Sequence, residues 1–160
     1  MSMVANLSSV PSKNPNILDM EVKFYCQKAA ATANPYPTLE KRIELLKRFK
    51  PLLQDNVEAF CQALNEDFSC RSEDETKMAE ILVSLEAVHY HIKKVRKWMK
   101  PSKRKVSILS VPGSAKVIYQ PLGVAGIIVP WNYPINLAIG PMLAAVTAGN
   151  RVMVKMSEFT

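Results

Sequence analysis

"GVAGIIVPWNYPINLAIGPMLAAVTAGNRVMVKMSE", residues 123 to 158, changes texture three times without a charged residue before Arg151. Val124 to Val129 is apolar on both faces of an extended chain, the mark of a strand covered on both sides, as in a parallel sheet. Pro134 suits a first helical position, where its fixed φ and missing N–H cost nothing. The apolar run then continues, interrupted at Pro141, to Gly149 and Asn150, a pair that stops helices. "RVMVKMSE" begins a second, largely apolar strand. Strand, helix and strand joined by short connections make a βαβ unit, which predicts an α/β fold.

The ligand crevice of such a unit lies beyond the carboxyl ends of its strands. Two unusual clusters fall there, "PWNYP" after the first strand and "KMSE" at the end of the second. Trp131, Asn132, Lys155, Ser157 and Glu158 are therefore expected to be neighbours at one edge. Lys155 and Glu158 can donate to and accept from ribose hydroxyls, and Asn132 offers an uncharged amide beside a helix start. The plainer alternative stays open at this point: Asn132 as a turn former, with Trp131 and Tyr133 as core packing. "GVAG" is only a fragment of the dinucleotide-binding glycine loop.

Upstream, the composition shifts once, near Pro101. Before it, Ile43, Leu46, Phe49, Leu53, Val57, Phe60, Leu64 and Phe68 recur every three or four residues and predict an amphipathic helical stretch. Pro51 is expected to divide that stretch in two, or to sit in the first turn of its second helix. "SEDE" reads as a capping box, Ser72 with Glu75, opening a helix that runs to about Lys100 on the stripe Ile81, Leu85, Val88, Ile92, Val95 and Met99. His89 and His91 point to different helix faces and are assigned no chemistry. After Pro101, a turn at Pro112-Gly113, a strand over Lys116 to Gln120 and a turn at Pro121 to Gly123 are expected.

The 160 residues carry a net charge of +7. Much of the excess lies in "KKVRKWMKPSKRK", Lys93 to Lys105, which reads as a solvated helix end whose cations favour the negative pole of the macrodipole. A small basic helical module gripping nucleic-acid phosphates is the competing reading, but Trp98 is the only aromatic interleaved with those charges. Gln120 to Asn150 exceeds the roughly 20 residues that a membrane span needs, yet Pro121, Pro130, Pro134 and Pro141 punctuate it. Neither a nucleic-acid nor a membrane partner is expected. The first sixteen residues read as a mobile arm without a secretory signal. Cys26, Cys61 and Cys70 form neither a zinc pattern nor a disulfide framework, which fits a reducing, cytoplasmic setting and no metal site.

The stretch from Tyr119 to Thr160 resembles the entry to the cofactor domain of the aldehyde dehydrogenase superfamily. "PLGV", "PWNYP", "TAGN" and "KMSE" stand in the order and at the spacing of that family's motifs, where the last two usually read "AAGN" and "KPSE". The likeness extends back to about residue 38. Met156 in place of proline, and "NEDFSCRSEDET" before the basic helix, are similar to the coniferyl-aldehyde branch, which oxidises a lignin-derived aromatic aldehyde to its acid.

The resemblance implies N-terminal helices, then a β-hairpin, then the first βαβ unit of a truncated Rossmann-like cofactor domain. It divides the chain into an arm and short helix over 1–37, a helical part over 38–111, a hairpin and oligomerisation strand over 112–123, and the start of the NAD(P)-binding unit over 124–160. It implies NAD, with NADP possible, as cofactor and an aldehyde as substrate. It makes Asn132 the oxyanion donor and lines the cofactor with Ile128, Val129, Pro130, Trp131, Lys155, Ser157 and Glu158. The family's nucleophilic cysteine and base glutamate follow the point matched by Thr160, so the chain is expected to be an amino-terminal piece, inactive alone. A complete protein is expected to form a homodimer or homotetramer.

Overall fold

A computed structural model of the protein describes residues 15–160. Six α-helices and four short strands follow in the order α1 (Pro15–Ala33), α2 (Leu39–Gln54), α3 (Val57–Phe68), α4 (Glu73–Glu75), α5 (Val83–Trp98), β1 (Ser102–Arg104), β2 (Ala115–Val117), β3 (Val124–Ile128), α6 (Pro134–Ala148) and β4 (Arg151–Lys155). A π-helical segment, Thr76–Leu82, joins α4 to α5 into one continuous helical run. The arm expected over the first sixteen residues lies outside the described residues, except that Pro15 and Asn16 begin α1. That helix has 19 residues and is not short.

The βαβ unit forms as the residue pattern predicts. β3 and β4 pair in parallel, with Val124 opposite Arg151 and Ile128 opposite Lys155. α6 opens on Pro134 and ends at Gly149, whose φ of +93° lies in the left-handed region that a side chain disfavours. The Asn150 side chain then ties the strands together, its Oδ1 accepting from the backbone N–H of Leu122 at 2.6 Å and of Gly123 at 3.0 Å. The strands are less covered than their apolar character predicts. α1 and α6 both contact the pair, but Ile128 is 83% exposed.

Three further expectations are corrected. Pro51 neither ends nor begins a helix; it lies inside α2, and the break falls at Asp55-Asn56 instead. Leu46, Phe49 and Leu53 flank the proline and are all buried, so continuing the helix across it keeps one apolar face on the core at the loss of one hydrogen bond. The hairpin starts earlier than residue 112, because Ser102–Arg104 pairs antiparallel with Ala115–Val117. The second of these strands ends at Val117 and does not reach Gln120.

α2, α5 and α6 meet around a core of Leu46, Phe49, Leu53, Leu64, Ile81, Val88, Val95, Ile135, Ile139 and Leu143. The buried Arg42 and the half-buried His91 both reach the carboxyl end of α6. Arg42 donates through Nη1 to the carbonyl of Thr147 at 2.9 Å and through Nε to that of Pro37 at 3.0 Å. His91 places Nδ1 2.7 Å from Thr147 Oγ1.

Burial pushes the His91 ring below its ordinary value of 6.5, so the folded protein resists protonating it more than the unfolded chain does. Its contribution to stability is complete above pH 6.5 and is lost as the pH falls from there towards the lower folded value. The urea midpoint should therefore drop between neutral pH and about 5.5, and drop less in His91→Gln. Equal slopes in both proteins would assign the acid sensitivity elsewhere.

Candidate active site

Both clusters lie at the carboxyl ends of β3 and β4, but separate elements hold them. The "KMSE" cluster is an extension of the sheet. Val129 donates its N–H to the carbonyl of Lys155 at 3.0 Å, carrying the strand pairing one residue past Ile128. Lys155 Nζ bonds to Glu158 Oε2 at 2.7 Å and to the carbonyl of Met156 at 3.0 Å. Ser157 Oγ accepts from the N–H of Phe159 at 3.0 Å and so shapes the turn between them. The Lys155 cation holds the Glu158 carboxyl below its ordinary range, and both side chains are well exposed. A donor and an acceptor this close, on a rigid strand end, suit two adjacent hydroxyls of a sugar.

The "PWNYP" cluster hangs on the helical layer instead. Trp131 is 56% exposed and is not core packing; its ring lies 6.3 Å from that of Phe68, tilted by 31°. Tyr133 donates its hydroxyl to Glu75 Oε1 at 3.1 Å. Of the expected capping box, Ser72 accepts from the Glu75 N–H at 3.1 Å, while the Glu75 carboxylate takes the tyrosine. Asn132 is exposed, and its side chain makes no hydrogen bond to another described residue. Pro130 is exposed and Val129 buried, so the corner turns outward from the end of β3.

What fixes the corner is a pair that sequence reasoning missed. Arg71 donates through Nη2 to the carbonyl of Asn132 at 2.7 Å and through Nη1 to Glu80 Oε1 at 2.9 Å. Its guanidinium lies over the Phe68 ring at 4.1 Å and the Tyr133 ring at 4.9 Å. Glu80 is fully buried on the π-helical segment, and its other oxygen accepts from the N–H of Ile135 at 2.7 Å and of Asn136 at 3.1 Å. A carboxylate from another helix thus caps the first turn of α6, satisfying donors that have no partner inside that helix. Burial raises the Glu80 carboxyl, while the two N–H groups and Arg71 pull against that rise. The only signal in the sequence is a glutamate next to the apolar stripe that begins at Ile81.

The thiols stand apart from this chemistry. Cys61 is buried and its thiol is pushed up by burial, which disfavours the nucleophilic thiolate; Cys26 and Cys70 are exposed. Among the described residues no helix is long and apolar enough to cross a membrane, and no group of three or more metal-binding side chains gathers.

The chain is similar to known proteins in sequence and in fold. The family model described as "Aldehyde dehydrogenase family" matches residues 8–160. A probable coniferyl aldehyde dehydrogenase of Pseudomonas aeruginosa is 49% identical over 158 residues, which are 99% of this chain and 33% of that protein. A coniferyl aldehyde dehydrogenase of a Pseudomonas species is 42% identical over 123 residues, 76% of this chain and 25% of that one. Among solved structures, the substrate-bound state of Staphylococcus aureus AldH superposes with a TM-score of 0.81 at 27% identity, over 87% of this chain and 30% of its own. The chain therefore spans a third or less of the length of these relatives.

Proposed function

The chain belongs to the aldehyde dehydrogenase family, and from that premise we propose that it serves NAD(P)-dependent oxidation of an aldehyde to the carboxylic acid. The observation that carries this reading is the Asn132 amide, exposed and unengaged at a clamped corner beside a strand end that presents Lys155 and Glu158. When bound, the nicotinamide supplies the hydride acceptor. Asn132 donates to the aldehyde oxygen as negative charge develops there, a role suited to an amide because it needs no proton transfer. Lys155 and Glu158 hold the adenosine ribose, Ser157 shapes the turn between them, and Ile128, Val129, Pro130 and Trp131 border the nucleotide. The proposed substrate is an aromatic aldehyde of the coniferyl type, a choice supported by the similarity to the two Pseudomonas proteins.

The proposed division of labour makes residues 38–101 the helical support, 102–123 the oligomerisation hairpin and 124–160 the start of the nucleotide unit, following an arm and helix over 1–37. Leu109 and Leu122, both almost fully exposed around the hairpin, support a homodimer or homotetramer in the whole protein. The three free thiols fit the reducing cytoplasm. The nucleophile and the base come from beyond these 160 residues, so the chain alone should be inactive.

The test is a graft of residues 1–160 in place of the matched third of the P. aeruginosa relative. The graft should form acid and NADH from coniferyl aldehyde, whereas the 160 residues alone should form neither. A folded, monodisperse graft with no aldehyde-dependent NADH would overturn the reading. Glu158 should repel a 2′-phosphate and favour NAD+ over NADP+, so Glu158→Gln should narrow the ratio of the two kcat/KM values several-fold. An unchanged ratio would mean that Glu158 does not meet the ribose.

A further inference from the structure

We propose that Arg71 and Glu80 are positioning residues for the Asn132 amide, acting as a relay that sets the corner from the helical layer. The inference rests on the reading of Asn132 as the oxyanion donor. It begins with three facts about one carboxylate. Glu80 is fully buried, it holds the N–H groups of Ile135 and Asn136 with one oxygen, and it holds Arg71 with the other. Arg71 in turn grips the carbonyl of Asn132. The residues on both sides of Tyr133 are therefore referred to a single buried group, and the backbone at 132 cannot rotate without breaking a charge-assisted hydrogen bond.

A buried ion pair is seldom retained for stability alone, because desolvation offsets most of its Coulombic gain. Here the pair does what an apolar pair of the same volume could not, since it binds three backbone groups along one turn of chain. Arginine fits the task and lysine does not. The planar fork reaches Glu80 and Asn132 with different nitrogens while its face lies over Phe68 and Tyr133, whereas an ammonium is a point charge that cannot hold both in that geometry. The π-helical segment Thr76–Leu82 carries Glu80 into the buried layer, which gives that irregularity a purpose.

The test uses the graft described above with Arg71→Lys, Glu80→Gln, Asn132→Ala and the double variant Arg71→Lys/Asn132→Ala. Arg71→Lys and Glu80→Gln should each lower kcat about 10-fold, the order expected for a misplaced group, while KM for NAD+ stays unchanged. In the Asn132→Ala background Arg71→Lys should have no further effect on kcat, because the group it positions is gone. If Arg71→Lys costs the same factor in both backgrounds, the relay is wrong even though Asn132 remains the donor. If Asn132→Ala itself leaves kcat unchanged, the oxyanion reading has failed instead. A second measurement serves if the graft is silent: amide exchange at Tyr133, Ile135 and Asn136 in the 160-residue chain should speed up in Arg71→Lys and in Glu80→Gln. Unaltered exchange in both would overturn the proposal.

Discussion

Replacing Asn132 by alanine in the graft should lower kcat about 100- to 1000-fold, the cost expected for losing one oxyanion donor, and should leave the KM for NAD+ nearly unchanged. The size follows from the timing of the interaction. An amide donor gains strength as charge builds on the carbonyl oxygen, and the backbone that carries this one is held by Arg71. The unchanged KM follows from the separate support of the nucleotide side, where Lys155 and Glu158 stand on the end of β4. Asn132→Asp should be at least as damaging, since it sets a negative charge where one is forming. Single-turnover kinetics with a deuterated aldehyde would show whether the loss lies in the chemical step. Turnover close to normal, with that step rate-limiting, removes Asn132 from the role.

The second large effect concerns folding. Gly149→Ala should destabilise the 160-residue chain by about 2–5 kcal/mol, combining a left-handed backbone that alanine resists with overpacking against fixed neighbours. A Cβ at this position would lie 2.7 Å from Arg42 Nη2 and 2.8 Å from Pro121 Cγ. Neither can yield cheaply. Arg42 is buried and committed to the carbonyls of Thr147 and Pro37, and the neighbouring segment Leu122-Gly123 is bonded to Asn150. Urea unfolding followed by circular dichroism measures the loss. A change under about 1 kcal/mol would show that the Arg42 side chain has a second low-energy arrangement.

The parts legible in the sequence are those set by local chemistry. Pro134 and Gly149 mark the ends of α6 because each has a backbone preference that acts on its own residue. Lys155 and Glu158 fall together at one strand end because only three positions separate them, although their mutual hydrogen bond was not foreseen. Ser72 caps its helix by reaching only as far as Glu75. The parts that were not legible depend on residues far apart in the chain. Arg71 meets Asn132 across 61 positions, Glu80 meets Ile135 across 55, and Arg42 meets Thr147 across 105. No periodicity announces such partners, and a buried glutamate on an apolar stripe looks the same as an exposed one until the facing helix is in place. β1 was hidden for another reason. "SKR" has no apolar alternation, and its pairing with Ala115–Val117 is the only sign that it is a strand. Pro51 shows the reverse case, a strong local signal overruled by the burial of Leu46, Phe49 and Leu53 around it.

The corner is anchored by Arg71 and Glu80 on the helices, and the proposed nucleotide rim by the β3–β4 pairing. Under the proposed roles, the side chains that meet the ribose and the amide that receives the carbonyl oxygen rest on different supports, with the Val129–Lys155 hydrogen bond as the link between them. Under those roles, exchanging Lys155, Ser157 and Glu158 for a set that tolerates an extra phosphate should leave the hold of Arg71 on Asn132 intact. Divergence in nucleotide preference along such a lineage should then need no compensating substitution at Arg71 or Glu80, which leaves the rim open to exchange by design.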